Sequence, residues 1–161
     1  ARSTGLTKKQ FAARMNAKAK ALGASFVDFI EPTGISEDNR TTAQDYIKVA
    51  RAAFTNPTIA EILTKTQYTF TAKNNKKIKH TLGNTNKLLG DADISMLGGK
   101  TGYIEESGYS FTARVKDKAG HDIIVLVFGS SSRPQQFTDT KLLAQHVFKN
   151  MPAVTNAVAS K

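Results

Sequence analysis

Six consecutive residues without a polar side chain, Ile123-Ile-Val-Leu-Val-Phe128, constrain this chain more than any other feature. The run has the length of a strand and falls far short of the roughly 18–20 residues of a membrane span. A strand that is apolar at every position needs cover on both faces, so it is expected inside a sheet layered between helices. Just before it, Tyr109, Phe111, Ala113 and Val115 alternate with Ser110, Thr112, Arg114 and Lys116, the pattern of a strand with one strongly buried face. The turn Lys118-Ala-Gly-His121 joins the two as an antiparallel pair.

Helical signals dominate the first part of the chain. Over Leu6–Leu22, Phe11, Met15, Ala19 and Leu22 fall three and four residues apart, with the lysines largely elsewhere, and Gly23 ends the helix. Phe26 to Ser36, with Pro32 and Gly34, reads as an irregular loop. Thr41, with Gln44 three residues on, makes a capping box for a helix burying Tyr46, Ile47, Ala50, Ala53 and Phe54. Asn56-Pro57 starts a short helix burying Ile59, Ile62 and Leu63, because proline at the first helical position loses only an N–H that has no partner there. Tyr68–Thr71 and Lys77–Thr81 flank an Asn74-Asn75 turn as a polar hairpin. A closing helix is expected over Asp139–Lys149, with Leu142, Leu143, Val147 and Phe148 as its apolar residues. The stretch from Pro152 to Lys161 reads as a flexible tail. The result is one α+β domain of 161 residues, an antiparallel sheet flanked by helices.

With 23 Lys and Arg against 13 Asp and Glu, the net charge is +10, which suits a polyanionic neighbour such as an acidic wall polymer, anionic lipid or nucleic acid. Nucleic acid lacks support beyond charge, since the basic runs carry no interleaved aromatics and no reading helix or finger motif. The absence of cysteine excludes disulfides, thiol catalysis and thiolate zinc sites. His80, His121 and His146 have no ligand spacing and are expected in structural or solvent roles, so no metal or cofactor is expected.

The ordered segments Met15-Asn-Ala-Lys-Ala-Lys-Ala-Leu-Gly23, Pro32-Thr-Gly-Ile-Ser36, Asn39 with Thr41-Thr-Ala-x-Asp45, Ala50-Arg-Ala-Ala-Phe54, Asn84-Thr-Asn-Lys-Leu-Leu89, Gly99-Lys-Thr-Gly102 and Leu126-Val-Phe-Gly129 carry a likeness. Together they resemble the D-alanyl-D-alanine carboxypeptidases, the low-molecular-mass penicillin-binding proteins, over about residues 5–148. The resemblance implies a beta-lactamase/transpeptidase-like fold, incomplete here on its N-terminal side. It also implies a serine that attacks the D-Ala-D-Ala bond of a peptidoglycan stem peptide through an acyl-enzyme, outside the cytoplasmic membrane, with beta-lactam antibiotics as inhibitors.

The family's Ser-x-x-Lys and Ser-x-Asn motifs have no counterpart here, so the chain is expected to start just after them and to be inactive alone. What matches is the third wall. The substrate ends in a carboxylate, which a cation and a hydroxyl would hold, and Lys100 and Thr101 occupy the family positions that supply them. Gly102 keeps the strand open to a ligand, and the backbone N–H of Tyr103 is implied as an oxyanion donor. Many family members place an Arg before the Phe of the last helix; this chain has Gln136 before Phe137, leaving Arg133 as the nearby substitute. The missing N-terminal segment, or a second copy pairing along an open strand edge, is the expected protein partner. A non-catalytic wall-binding or regulatory module, and a beta-lactamase-like hydrolase, are the alternatives.

Overall fold

In the computed structural model, which describes residues 1–73 and 77–153, three antiparallel strands carry the core. They are β5 (Ser95–Ile104), β6 (Gly108–Lys116) and β7 (Asp122–Ser130), in the order β5-β6-β7. Phe111, Ala113 and Val115 are fully buried, as the alternation of β6 requires, and pack with Leu88, Ile94, Val125, Val127, Phe137 and Ala144. Thr112 is buried too, so β6 is covered on both faces. It runs down the middle of the sheet. The continuous apolar run lies instead on β7, a sheet edge, because its outer side has no strand partner among the described residues. Helices do cover both of its faces. One is α4 (Arg133–Asn150), and the other is α2 (Ala43–Phe54), where Tyr46 meets Phe128 edge-on with ring centroids 5.7 Å apart.

α1 spans Lys8–Ala21 and starts on a capping box, Thr7 with Gln10. Its Phe11, Met15 and Leu22 are only half-buried, since they face a groove and not the core. The next helix is capped by Thr42 and not by Thr41: the Thr42 hydroxyl accepts from Asp45 N at 3.2 Å. Two adjacent threonines offer equivalent caps, and the buried Asp45 decides between them. Its carboxylate accepts from Phe26 N at 2.6 Å and from Lys48 Nζ at 2.7 Å, fastening the loop after α1 to α2. Within that loop, β1 (Val27–Asp28) pairs with β2 (Arg40–Thr41).

α3 (Pro57–Thr64) begins on Asn56 and Pro57 as expected, but Ile59 and Ile62 are exposed. The helix packs on β5, where Leu63 lies against the Gly98 backbone, and on α2, and this leaves Ile59 and Ile62 on its outer side. The hairpin pairs β3 (Gln67–Thr71) with β4 (Lys79–Gly83); its Asn74-Asn75 tip lies outside the described residues. It is not simply polar, since one of its faces is aromatic and aliphatic. α4 begins six residues earlier than Asp139, capped by Ser132 with Pro134 in its first turn. Its buried side is Gln136, Phe137, Thr140 and Ala144, while Leu142, Leu143 and Val147 are exposed. Residues 154–161 of the proposed tail fall outside the described residues.

Two polar ties lock the sheet to the helices. Arg114 grips Asp122 with Nε and Nη2, at 2.9 and 2.7 Å, and donates from Nη1 to Phe54 O at 3.1 Å. The buried His121 holds Asp117 through Nδ1 at 2.6 Å and Pro152 O through Nε2 at 2.7 Å, clasping the end of α4 onto the β6–β7 turn. Both ring nitrogens face acceptors, so only the imidazolium satisfies both. Asp117, and then the Pro152 carbonyl, accordingly raise the His121 pKa above 6.5. The clasp therefore contributes fully below pH 6.5 and is lost as pH rises through the raised folded value. Urea unfolding at about pH 6 and about pH 9 is expected to show a loss in the wild type that His121→Gln lacks. An equal loss in both proteins would assign it elsewhere.

Candidate active site

The sequence places two glycines on β5 just before Lys100, and the packing explains both. A Cβ on Gly98 would lie 2.8 Å from the Phe54 ring, and one on Gly99 would lie 2.7 Å from Asn86 Nδ2 and 2.9 Å from Phe111. Only bare backbone lets β5 sit this close to the core. A bulge between Met96 and Gly98 then sets the register, pairing Lys100 with Thr112, Thr101 with Phe111, Gly102 with Ser110 and Tyr103 with Tyr109. Gly102 differs from the other two. A Cβ there would meet only Ser110, at an ordinary 3.9 Å, so internal packing does not demand glycine.

β5 is the other edge of the sheet, and its Lys100–Gly102 segment borders two concavities. The first, a groove of about 660 Å³, is closed opposite β5 by Phe11 and Met15 of α1 and by the Glu31–Gly34 loop. The second is a recess of about 120 Å³ where Thr101, Gly102 and Tyr103 meet Thr85, Arg133 and Gln136. A larger cleft of about 880 Å³, between the 89–96 and 116–120 segments, includes none of the predicted site residues. Of the five residues singled out from the sequence, Lys100, Thr101, Gly102 and Tyr103 are consecutive on β5, while Arg133 of α4 shares the recess with Thr101, Gly102 and Tyr103 and does not line the groove with Lys100. Lys100 is exposed and donates to Thr101 O, while the Tyr103 ring stacks on Tyr109 with centroids 4.3 Å apart.

Two supports escaped the sequence reading. Thr85 Oγ1 lies 2.7 Å from Thr101 Oγ1. Asn84 holds it there by donating to Leu63 O and Lys65 O, at 3.1 and 2.9 Å, while accepting from Asn86 N at 2.9 Å. The Asn-Thr-Asn segment had carried the resemblance without a role for its threonine. The second support is Glu31, whose carboxylate gathers the N–H groups of Thr33 and Gly34 at 2.6 Å, that of Ile35 at 3.0 Å, and Asn39 Nδ2 at 2.6 Å. With the Thr33 hydroxyl as the foremost cause, these donors lower its pKa to about 2. The loop facing Lys100 is thereby braced around a fixed negative charge. Its partners are mostly backbone N–H groups, joined by the Thr33 hydroxyl and Asn39 Nδ2, and backbone donors leave no pattern in a sequence.

Gln136 is buried. Its Nε2 donates to Arg133 O at 3.1 Å, and its Oε1 has no partner among the described residues. It braces the first turn of α4, from which Arg133 projects at the rim of the recess. His80 stacks on Phe70, and among the described residues no three metal-ligating side chains cluster.

Residues 1–132 match the family described as D-alanyl-D-alanine carboxypeptidase. The chain belongs to that family. A D-alanyl-D-alanine endopeptidase of Haemophilus influenzae is 31% identical over 144 residues, which are 88% of this chain and 48% of the relative. The D-alanyl-D-alanine carboxypeptidase DacF of Bacillus subtilis is 33% identical over 139 residues, 85% of this chain and 35% of the relative. Among solved structures, a mutant of a Streptomyces DD-transpeptidase superposes with a TM-score of 0.79 at 27% identity, covering 88% of this chain and 55% of that one. A D-alanyl-D-alanine carboxypeptidase of Mycobacterium tuberculosis gives 0.71 at 25% identity, covering 89% and 55%. The α+β fold with its helix-flanked antiparallel sheet is that of these penicillin-binding proteins. This family member spans about half the length, or less, of the curated relatives it matches.

Proposed function

We propose that β5 is the carboxylate-binding and oxyanion wall of a serine acyl-transfer site acting on peptidoglycan stem peptides that end in D-Ala-D-Ala. The attacking serine belongs to a part of the protein outside these 161 residues. The observation that carries this reading is the position of Lys100–Gly102 on a sheet edge, facing a groove walled by α1 and the Glu31 loop. Lys100 supplies a cation and Thr101 a hydroxyl for the terminal carboxylate, with Thr85 fixing the hydroxyl's orientation. Gly102 is bare where internal packing leaves room, so that a ligand can approach along the strand. The backbone N–H of Tyr103 is one oxyanion donor, and the serine's own N–H is the other. Arg133 takes the place of the usual arginine at the recess, held by Gln136.

The acyl-enzyme forms when the serine oxygen bonds to the penultimate D-Ala carbonyl carbon and the terminal D-Ala leaves; water then releases the shortened peptide. Beta-lactams acylate the same serine. Such a substrate places the protein on the outer side of the cytoplasmic membrane. The open edge of β7 and the exposed Phe128, Leu142 and Leu143 offer a docking face for the protein's other half.

A fluorescent penicillin tests the assembly. This chain alone is expected to take no label, because none of its serines has a Lys three residues later. Mixed with a separately produced N-terminal half, it should form a one-to-one complex in which that half becomes labelled. Labelling of the N-terminal half without this chain would remove β5 from the site. Self-association of this chain that persists in the mixture would give the β7 edge to a second copy.

A further inference from the structure

The β3–β4 hairpin carries two unlike faces. Cross-strand pairing of Tyr68 with Leu82 and of Phe70 with His80 puts these four on one side, and the same alternation adds Ile78. The opposite side is polar, with Thr69 and Thr81 joined through their hydroxyls at 2.9 Å. The apolar side is uncovered: Tyr68 is 57% exposed, Phe70 40% and Leu82 59%. It continues across a hollow of about 460 Å³ to Ile62 of α3, itself 58% exposed. A hairpin with one contiguous apolar face in solvent is not explained by its own fold.

Charge shows what the face is built to meet. Residues 66–87 contain five lysines, at 73, 76, 77, 79 and 87, and no Asp or Glu, against a net charge of +10 for the whole chain; Lys65, just before them, is paired with Glu61 at 2.9 Å. Among the described residues, Lys79 pairs with Thr71 on the polar side of the hairpin, away from the apolar face. The geometry points to contact with an anionic lipid surface, with Tyr68, Phe70 and Leu82 entering the interfacial layer and the surrounding lysines meeting lipid phosphates. A purely polar polyanion would satisfy the lysines and leave the apolar face wet. Phe70 stacks with both Tyr68 and His80, with centroids 6.1 and 5.2 Å apart. With Leu82 and Ile78 exposed beside them, the face is a mixed aromatic and aliphatic surface, which suits acyl chains. Lysines near an anionic surface act additively, so a handful gives measurable, salt-sensitive binding. This contact stands apart from the acyl-transfer reading and needs no active serine.

Co-sedimentation with vesicles of phosphatidylglycerol and phosphatidylcholine, compared with phosphatidylcholine alone, tests it on this chain and on the full reading frame. Binding is expected only to the phosphatidylglycerol vesicles, weakening as salt rises. Exchanging Tyr68, Phe70 and Leu82 together for serine should weaken it at least about tenfold, and so should Lys73→Glu with Lys79→Glu. Lys8→Glu with Lys9→Glu, on α1, removes and reverses as much charge and should matter far less. Circular-dichroism melts of all variants exclude unfolding as the cause. The proposal is overturned if the phosphatidylglycerol vesicles are not bound, if the serine variant binds like the wild type, or if the α1 variant loses as much as the hairpin variants. Binding by this chain that vanishes in the full reading frame also overturns it, because the face would then be covered within the protein.

Discussion

Phe111→Ala is expected to destabilise the fold by about 3–5 kcal/mol, read as a fall in the urea midpoint at unchanged slope. The ring is wholly buried, meets Phe137 edge-on at 5.1 Å between centroids, and lies under Gly99, next to Lys100. Truncation leaves a cavity beneath the strand that carries the proposed site, and such a loss is a large part of a domain's usual stability. Gly99→Ala acts from the other side of the same contact. Its Cβ would sit 2.9 Å from the Phe111 ring and 2.7 Å from Asn86 Nδ2, overpacking worth about 1–3 kcal/mol. The two changes should be non-additive, since removing the ring relieves most of the clash. Strict additivity would show that β5 does not rest on Phe111.

Lys100→Ala is the change with the largest expected effect on chemistry. In the full reading frame it should slow acylation by a beta-lactam about 10²–10³-fold, the usual cost of removing one preorganised electrostatic partner. Its stability effect should be small, because the side chain is exposed and is not part of an ion pair among the described residues. The carboxylate role makes a sharper statement. A ligand whose terminal carboxylate is converted to an amide should react slowly with the wild type and lose little more in Lys100→Ala. Wild-type acylation by the folded variant would remove Lys100 from the site, and an undiminished penalty on the amide would give the lysine another role.

Much of this architecture is legible in the residues, and the gaps have physical causes. The alternation of β6 announces its buried face because it packs against partners within the chain. Six apolar residues announce that both faces of β7 are covered, as they are, but say nothing about a neighbour along the hydrogen-bonding edge, which is open among the described residues. Ile59, Ile62, Leu142 and Leu143 follow helical spacing yet are exposed, because a period marks a face without naming what covers it. The start of α4 was missed although Ser132 and Pro134 are good start signals. Three serines followed by paired glutamines read as loop, and the burial of Gln136 is a tertiary fact. At the site, Lys100-Thr101-Gly102 was readable as a motif. Arg133 was readable only from a departure from the family pattern. Thr85 and Glu31 became visible only when loop geometry brought a hydroxyl to Thr101 and backbone donors to a carboxylate.

The most direct measurement is the position of the penicilloyl adduct, mapped by peptide mass spectrometry on the full reading frame after reaction with a beta-lactam. An adduct on a serine of a Ser-x-x-Lys motif outside these 161 residues, formed slowly in Lys100→Ala, is the predicted result. An adduct on Ser107, Ser130 or any other serine of this chain would contradict the account, because the nucleophile would then lie within the segment assigned only the opposing wall.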